Sequence, residues 1–205
     1  MWVSPVVLEG EFARLEPLEE RHAAGLLEAG RDPAVWEHLL WAPLESIDHS
    51  RAYIASALSA ARDGSSFPFA IIHKPSGAVA GSTRYLEIRP EHRALEIGWT
   101  WIGAPWWRTA LNTQCKLLLM QHAFETLRAN RMQFKTDILN VRSQRAIERL
   151  GAKKEGVLRA HTIRRDGTLR DSVYYSVIAP EWPAVKARLE QGLAQTDPPQ
   201  TVEGG

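Results

Sequence analysis

The alternation of apolar and polar positions divides the chain into short strands and amphipathic helices. Residues 12–18 alternate and read as a first strand. Helical spacing follows over 19–29, 33–40 and 48–62. Asp32 before Pro33 is an N-cap with proline at the first helical position, and Asp48 is a second N-cap candidate. FPFAIIH (67–73) and AVAGSTRYLEI (78–88) are strand-like runs. The Lys74-Pro75-Ser76-Gly77 turn between them predicts an antiparallel hairpin. A further strand runs through 94–102. The loop GAPWWRTAL then opens a long helix with Leu117, Met120, Phe124 and Leu127 on one face.

Alternation of Met132, Phe134, Thr136 and Ile138 marks a strand over 131–139. Asn140 caps a short helix whose apolar face is Ala146, Ile147 and Leu150, with Gly151 as its stop. Strands near 155–165 and 169–178 are joined by Asp166-Gly167, a hairpin signal. A closing helix from Trp182-Pro183 turns Trp182, Val185 and Leu189 inward. This order predicts an α/β mixed sheet with one strand-helix-strand crossover at its centre.

Length and composition narrow the class. At 205 residues the chain suits one domain, taken as 1–194, with a polar, flexible tail over 195–205. A globule of this size buries roughly 70% of its unfolded surface, so it needs neither disulfides nor a structural metal. The single thiol, Cys115, can form no internal disulfide or zinc site and reads as an apolar filler. The amino terminus lacks the basic flank and apolar run of a signal peptide. No stretch approaches the ~20 apolar residues of a membrane helix. The expectation is a soluble, cytoplasmic protein with no membrane partner.

The net charge of +1 hides an uneven distribution. Residues 128–170 carry 12 Lys/Arg against 4 Asp/Glu, leaving 13 basic and 20 acidic residues elsewhere. Such a block can attract an anion, or it can be a solvated face of salt bridges. It lacks the aromatic interleaving of a single-strand binder, so nucleic acid is not favoured.

The crossover loop is the most informative stretch. A loop that opens a helix aims unpaired backbone N–H groups at any anion it holds. Arg108 adds positive charge there, and Thr109, Asn112 and Thr113 add donors, though Asn and Thr at a helix start also serve as plain caps.

Residues 96–159, from EIGWTWIGAPWWRTALNTQCK to EGVLR, resemble the core of the GNAT acetyltransferases. Within them the chain is most similar to the ribosomal-protein N-terminal acetyltransferases of the RimJ/RimL type. The most specific marks are Asn140-x-x-Ser143, Arg149-Leu150-Gly151 and Glu155-Gly156-Val157-Leu158-Arg159. The resemblance extends over nearly the whole chain. It implies a mainly antiparallel α/β (α+β) sheet of about seven strands flanked by helices, with acetyl-CoA as cosubstrate. Relatives are often homodimers.

One departure stands out. The family's pyrophosphate loop usually reads Gly-x-Gly-x-Ala-Thr, and here Arg108 and Ala110 take the glycine positions. Glycine reaches positive φ and lets backbone approach a phosphate. Arg108 is not expected to substitute for glycine, but its guanidinium can neutralise phosphate directly. The resemblance assigns the cofactor to Trp107, Arg108, Thr109, Ala110, Asn112 and Thr113. It adds the backbone of Trp99, Thr100 and Ile102 for the pantetheine arm, Asn140 beside it, and Ser143 near the sulfur.

Acetyl transfer to an amine needs the amine deprotonated, the oxyanion stabilised and the departing thiolate protonated. Ser143 can supply the last proton. Relatives often carry a glutamate base where this chain has Thr162. The substitutes are Glu96 on the central strand and His161, which alternation directs to the face opposite Thr162. Glu96 can equally be an ion-pair partner of Arg84 or Arg93. Two of Trp99, Trp101, Trp106 and Trp107 read as core, while Trp36 and Trp41 are candidates for a substrate cleft.

An α-amine of pKa ~7.7–8.0 is roughly a tenth neutral at pH 7, against about one lysine in 2,500. A site without a strong base therefore favours an α-amine, such as a protein N-terminus. A small free amine is the alternative acceptor, and a non-catalytic CoA-binding module is the alternative class.

Overall fold

The computed structural model describes residues 2–195. The calls on the tail beyond Gln195 lie outside the described residues. Eight strands form one sheet in the order β1-β2-β3-β4-β5-β6-β8-β7. They are β1 (Leu8–Glu9), β2 (Ala13–Pro17), β3 (Phe67–His73), β4 (Ala78–Arg89), β5 (Ala94–Ile102), β6 (Arg131–Asp137), β7 (Lys153–Ile163) and β8 (Leu169–Ile178). Among the described residues only the β5–β6 pair is parallel. The helices are α1 (Ala23–Ala29), α2 (Ile47–Ala61), α3 (Ala110–Gln121), α4 (Val141–Leu150) and α5 (Trp182–Ala194).

The expected mixed, mainly antiparallel sheet of about seven strands is present, with the two-residue β1, too short to show alternation, added at its edge; two local expectations are corrected. The helix expected over 33–40 is a single 3-10 turn, Pro33–Trp36. The fully buried Trp36 ties its indole N–H to the Gly30 carbonyl at 2.7 Å and packs on Trp101, so one side chain's tertiary contacts set this segment. Helix α2 is capped by Ser46, which accepts from the His49 N–H at 3.2 Å. Asp48 lies in the first turn instead, where its charge favours the helix dipole.

The core lies on both faces of the sheet. One cluster joins Leu15, Phe69, Leu95 and Ile97 to the apolar stripes of α3, α4 and α5. The other joins Ala70, Ile72 and Trp101 to α1, α2 and Trp36. Helices α1 and α2 pack over β4 and β3. On that same side the register aligns Glu96 with Gln133, Lys135 with Tyr174, and Asp137 with Ser172. That half of the face is therefore polar and charged, opposite a strip of Phe134, Val173, Tyr175 and Val177 that feeds the core.

Two glycines have geometric duties. A Cβ on Gly81 would lie 2.1 Å from the Trp101 carbonyl oxygen, so β4 and β5 approach only because it has none. Gly151 ends α4 with φ of 100°, the left-handed stop read from sequence.

Candidate active site

The β5–β6 ladder is short. It pairs Ala94, Leu95 and Glu96 with Arg131, Met132 and Gln133 and then stops. Beyond it β5 stays with β4, and β6 with β8. The parting is helped by a bulge in β5, where Trp99 and Thr100 together face Thr83 of β4 and Trp99 takes φ of 49°. Two strands that part in mid-sheet leave backbone groups facing a gap, able to pair with a ligand laid between them.

The α3 loop stands at the end of β5. Thr109 is the N-cap; its hydroxyl accepts from the Leu111 N–H at 3.3 Å and donates to the Trp106 carbonyl at 2.8 Å. Its side chain is committed to the protein, against the expectation of a free donor. Ala110 is the first helical residue, and Asn112 and Thr113 lie half-buried in the first turn. Arg108 is exposed with φ of 62°, which corrects the expectation that it could not substitute for glycine. It holds the left-handed conformation at a cost of roughly 1–2 kcal/mol. Trp107 donates its indole N–H to the Ile102 carbonyl at 2.6 Å, so that carbonyl, expected to be free for a ligand, is already taken. Arg142, from the start of α4, lies 4.1 Å over the Trp107 ring and adds a second cation beside the loop.

Asn140 caps α4 by accepting from the Ser143 N–H at 2.9 Å, and Ser143 is half-buried in the first turn. Lys116, on α3, went unnoticed in the sequence because its surroundings read as a run of apolar helix. It is 6% exposed and donates to the Thr100 hydroxyl at 2.8 Å, which in turn bonds Thr83 at 2.7 Å. Burial lowers its ammonium to about 8. Its neighbour Cys115 is wholly buried, as expected of a filler, and burial pushes that thiol up to about 12.

On the opposite side of the sheet, Glu96 is 1% exposed. It accepts from Gln133 at 2.8 Å and pairs with Lys135 at 3.7 Å, so the expected alternatives Arg84 and Arg93 are not its partners. Burial raises its carboxyl, against the opposing pull of Lys135. His161 shares this face. Residues 159–161 bulge out opposite Asp171, with Ala160 at φ of 49°, and the break in alternation turns the imidazole toward Ser172 (3.0 Å) and Tyr174 (3.3 Å). This corrects its assignment to the face opposite Thr162. Burial, aided by Lys135 and Arg170, holds His161 below its usual range.

Further out, Asp137 receives two hydrogen bonds from Arg164, at 2.8 and 2.9 Å. Burial is the largest single influence and raises its carboxyl, but the Arg164 bonds, the Leu139 N–H and the charges of Arg164 and Arg170 together hold it below the usual value. Asp137, Arg164 and Asp166 line a cavity of about 340 Å³ with Glu37, His38 and Leu40. Trp36, expected to line a cleft, is core, while Trp41 packs edge-on against Tyr53 at 5.6 Å. Among the described residues no cluster of three His, Cys, Asp or Glu could hold a metal.

A mixed sheet parted between two parallel strands, with an anion-ready helix start on one face and a buried carboxylate on the other, is the framework of a GNAT transferase. A family model described as acetyltransferase (GNAT) domain matches residues 13–153, and the chain belongs to this family. A GCN5-related N-acetyltransferase from Brucella melitensis is 30% identical, with a TM-score of 0.89, covering 95% of this chain and 88% of that one. “Uncharacterized N-acetyltransferase p20” of Bacillus licheniformis is 26% identical over 84% of this chain and 96% of its own length. “Putative ribosomal N-acetyltransferase YdaF” of Bacillus subtilis is 30% identical over 54% of this chain and 59% of its own length. The microcin C7 self-immunity acetyltransferase MccE, solved with acetyl-CoA and AMP, shares the fold at 21% identity and a TM-score of 0.73, covering 82% of this chain and 93% of its own. The protein is an N-acetyltransferase of the GNAT family.

Proposed function

We propose that the protein transfers acetyl from acetyl-CoA to the α-amine of a protein or peptide N-terminus. The observation that carries this reading is the β5–β6 ladder ending at Glu96–Gln133, with a buried carboxylate at the parting point. The pantetheine arm lies in the gap beside the Trp99–Thr100 backbone. The pyrophosphate rests on the start of α3, with Arg108 and Arg142 as its cations. The ribosomal acceptor in the name of the YdaF relative supports the choice of an α-amine. So does the scarcity of strong bases, since an α-amine is already partly neutral near pH 7.

Glu96, directly or through water, takes the proton of the incoming ammonium. The amine nitrogen attacks the thioester carbonyl, and as the carbon–sulfur bond breaks the proton shed by the nitrogen passes through the Ser143 hydroxyl to the departing thiolate, leaving the serine as it began. Ser143→Ala is expected to lower kcat without unfolding the chain, because the α4 cap comes from Asn140. His161 is the alternative base, and its lowered proton affinity leaves it neutral and able to accept. A screen of CoA release with N-terminal peptides beside small amines tests the reading. Turnover confined to small amines would replace the protein acceptor, and binding without turnover would favour the non-catalytic module.

A further inference from the structure

Once these roles are assigned, one buried charge on the acceptor side of the sheet remains without a counterpart. Arg84 stands in the middle of β4 and is 5% exposed. Its Nε is buried without a hydrogen-bond partner, and no ion pair or side-chain hydrogen bond reaches its guanidinium among the described residues. Of the other cations of this face, Lys135 pairs with Glu96 and Arg164 with Asp137, and Arg170 lies 3.7 Å from the same Asp137, its Nε also without a hydrogen bond. Arg84 has only aromatic neighbours, the Tyr53 ring at 5.2 Å and the Trp99 ring at 4.9 Å. Ring faces attract a cation but accept none of its N–H donors in the way an oxygen does. A desolvated guanidinium kept in this state is a receptor awaiting an anion.

Its position says where that anion lies. Arg84 is paired with Gly98 and Glu96 with Leu86, so Arg84 and Glu96 are diagonal neighbours on one face of β4 and β5. Gly98 has no side chain, and the Glu96 carboxyl leans over it, its Oε1 2.9 Å from where a Cβ would stand, beside the Leu86 methyl at 2.8 Å. The β5 bulge brings Trp99 against the guanidinium, and the β5–β6 ladder ends at Glu96 itself.

We infer that Arg84 is a specificity-determining residue: it receives a carboxylate of the acceptor while the acceptor's amine lies toward Glu96. The inference rests on the acetyl-transfer reading above and deepens it. A carboxylate fits better than a phosphate, because Arg84 offers a single guanidinium and the neighbouring Glu96 carboxylate repels a dianion more strongly than a monoanion. Diagonal neighbours stand about 7–8 Å apart, which suits an amine and a carboxylate separated by only a few bonds. Two sources carry that chemistry: an Asp or Glu at the first position of a peptide, and the α-carboxylate of a free amino acid.

The test measures CoA release at saturating acetyl-CoA. Peptides beginning with Asp or Glu are compared with their Asn or Gln isosteres, and free amino acids with their α-amides. The expected result is at least a 10-fold preference in kcat/KM for the carboxylate member of one pair. The pair that shows it identifies the source. In Arg84→Gln the ratio falls to within about 2-fold, through KM for the acceptor rather than KM for acetyl-CoA. Arg84→Lys keeps part of the preference. Should Arg84→Gln not fold, the wild-type ratios and Arg84→Lys still decide. Equal turnover of charged and neutral members overturns this inference alone, as does an Arg84→Gln defect confined to acetyl-CoA. Silence from every amine overturns the acetyl-transfer reading and this inference with it.

Discussion

Arg108 and Lys116 show how single residues carry more than their type suggests. Arg108 sits at φ of 62° at a position the family resemblance gives to glycine, so strain and charge are separable by mutation. Arg108→Gly relieves the strain and is expected to stabilise the fold by about 1 kcal/mol. Arg108→Ala keeps the strain. Both lose the guanidinium, and both should weaken acetyl-CoA binding by about 1–3 kcal/mol in a titration. Unchanged affinity in both would mean the side chain points away from the phosphates.

Lys116 gives a pH prediction. Its folded value of about 8 lies below the ordinary 10.5. Below pH 8 both the folded and unfolded states hold the proton, and the folded chain bears the full cost of a buried charge. Between about 8 and 10.5 the unfolded chain keeps a proton that the folded chain has released, so stability rises with pH. Lys116→Met removes this slope. It should be more stable than the parent at pH 7, by up to roughly 3 kcal/mol, with the difference shrinking toward pH 10.5 in paired denaturant titrations.

At the scale of elements, local chemistry made much of the fold legible. The 67–73 strand, the β3–β4 turn, the Asn140 cap and the Gly151 stop follow from alternation, turn residues and capping, and each is present. What sequence could not mark are the bulges at Trp99 and at Ala160. Trp99 and Ala160 hold positive φ without being glycine, so nothing in their type announces the break. The consequence is specific: strict alternation put His161 on the wrong face. Arg84 and Lys116 were illegible as site members for another reason. The meaning of Arg84 lies in an absent anionic partner and that of Lys116 in its burial, and only the packed structure reveals either.

Helix α4 allows a clean separation of structure from binding. Asn140→Ala removes the cap and should cost about 1 kcal/mol, or roughly 2–4 °C in Tm for a chain of this size. Asn140→Asp keeps the accepting oxygen and should restore stability. If the Asn140 amide also donates to the cofactor, the Asp variant stays stable but binds acetyl-CoA more weakly.

At the scale of the molecule, the proposed reaction uses the parting of the sheet to let a cosubstrate on one face meet an acceptor on the other. A ligand that holds only the folded state adds RT ln(1 + [L]/Kd) to stability. Acetyl-CoA at 100 times its Kd should therefore add about 2.7 kcal/mol and raise Tm. The measurement closest to the central claim is the pH profile of kcat/KM for CoA release, in the parent chain and in Glu96→Gln. Burial raises the Glu96 carboxyl, so the acid limb of the parent should lie above the ordinary carboxylate range. The variant should lose about 10²-fold near neutral pH, and the deficit should narrow as alkaline solution delivers a neutral amine. A Glu96→Gln enzyme with the parent's activity and the parent's acid limb would contradict the account.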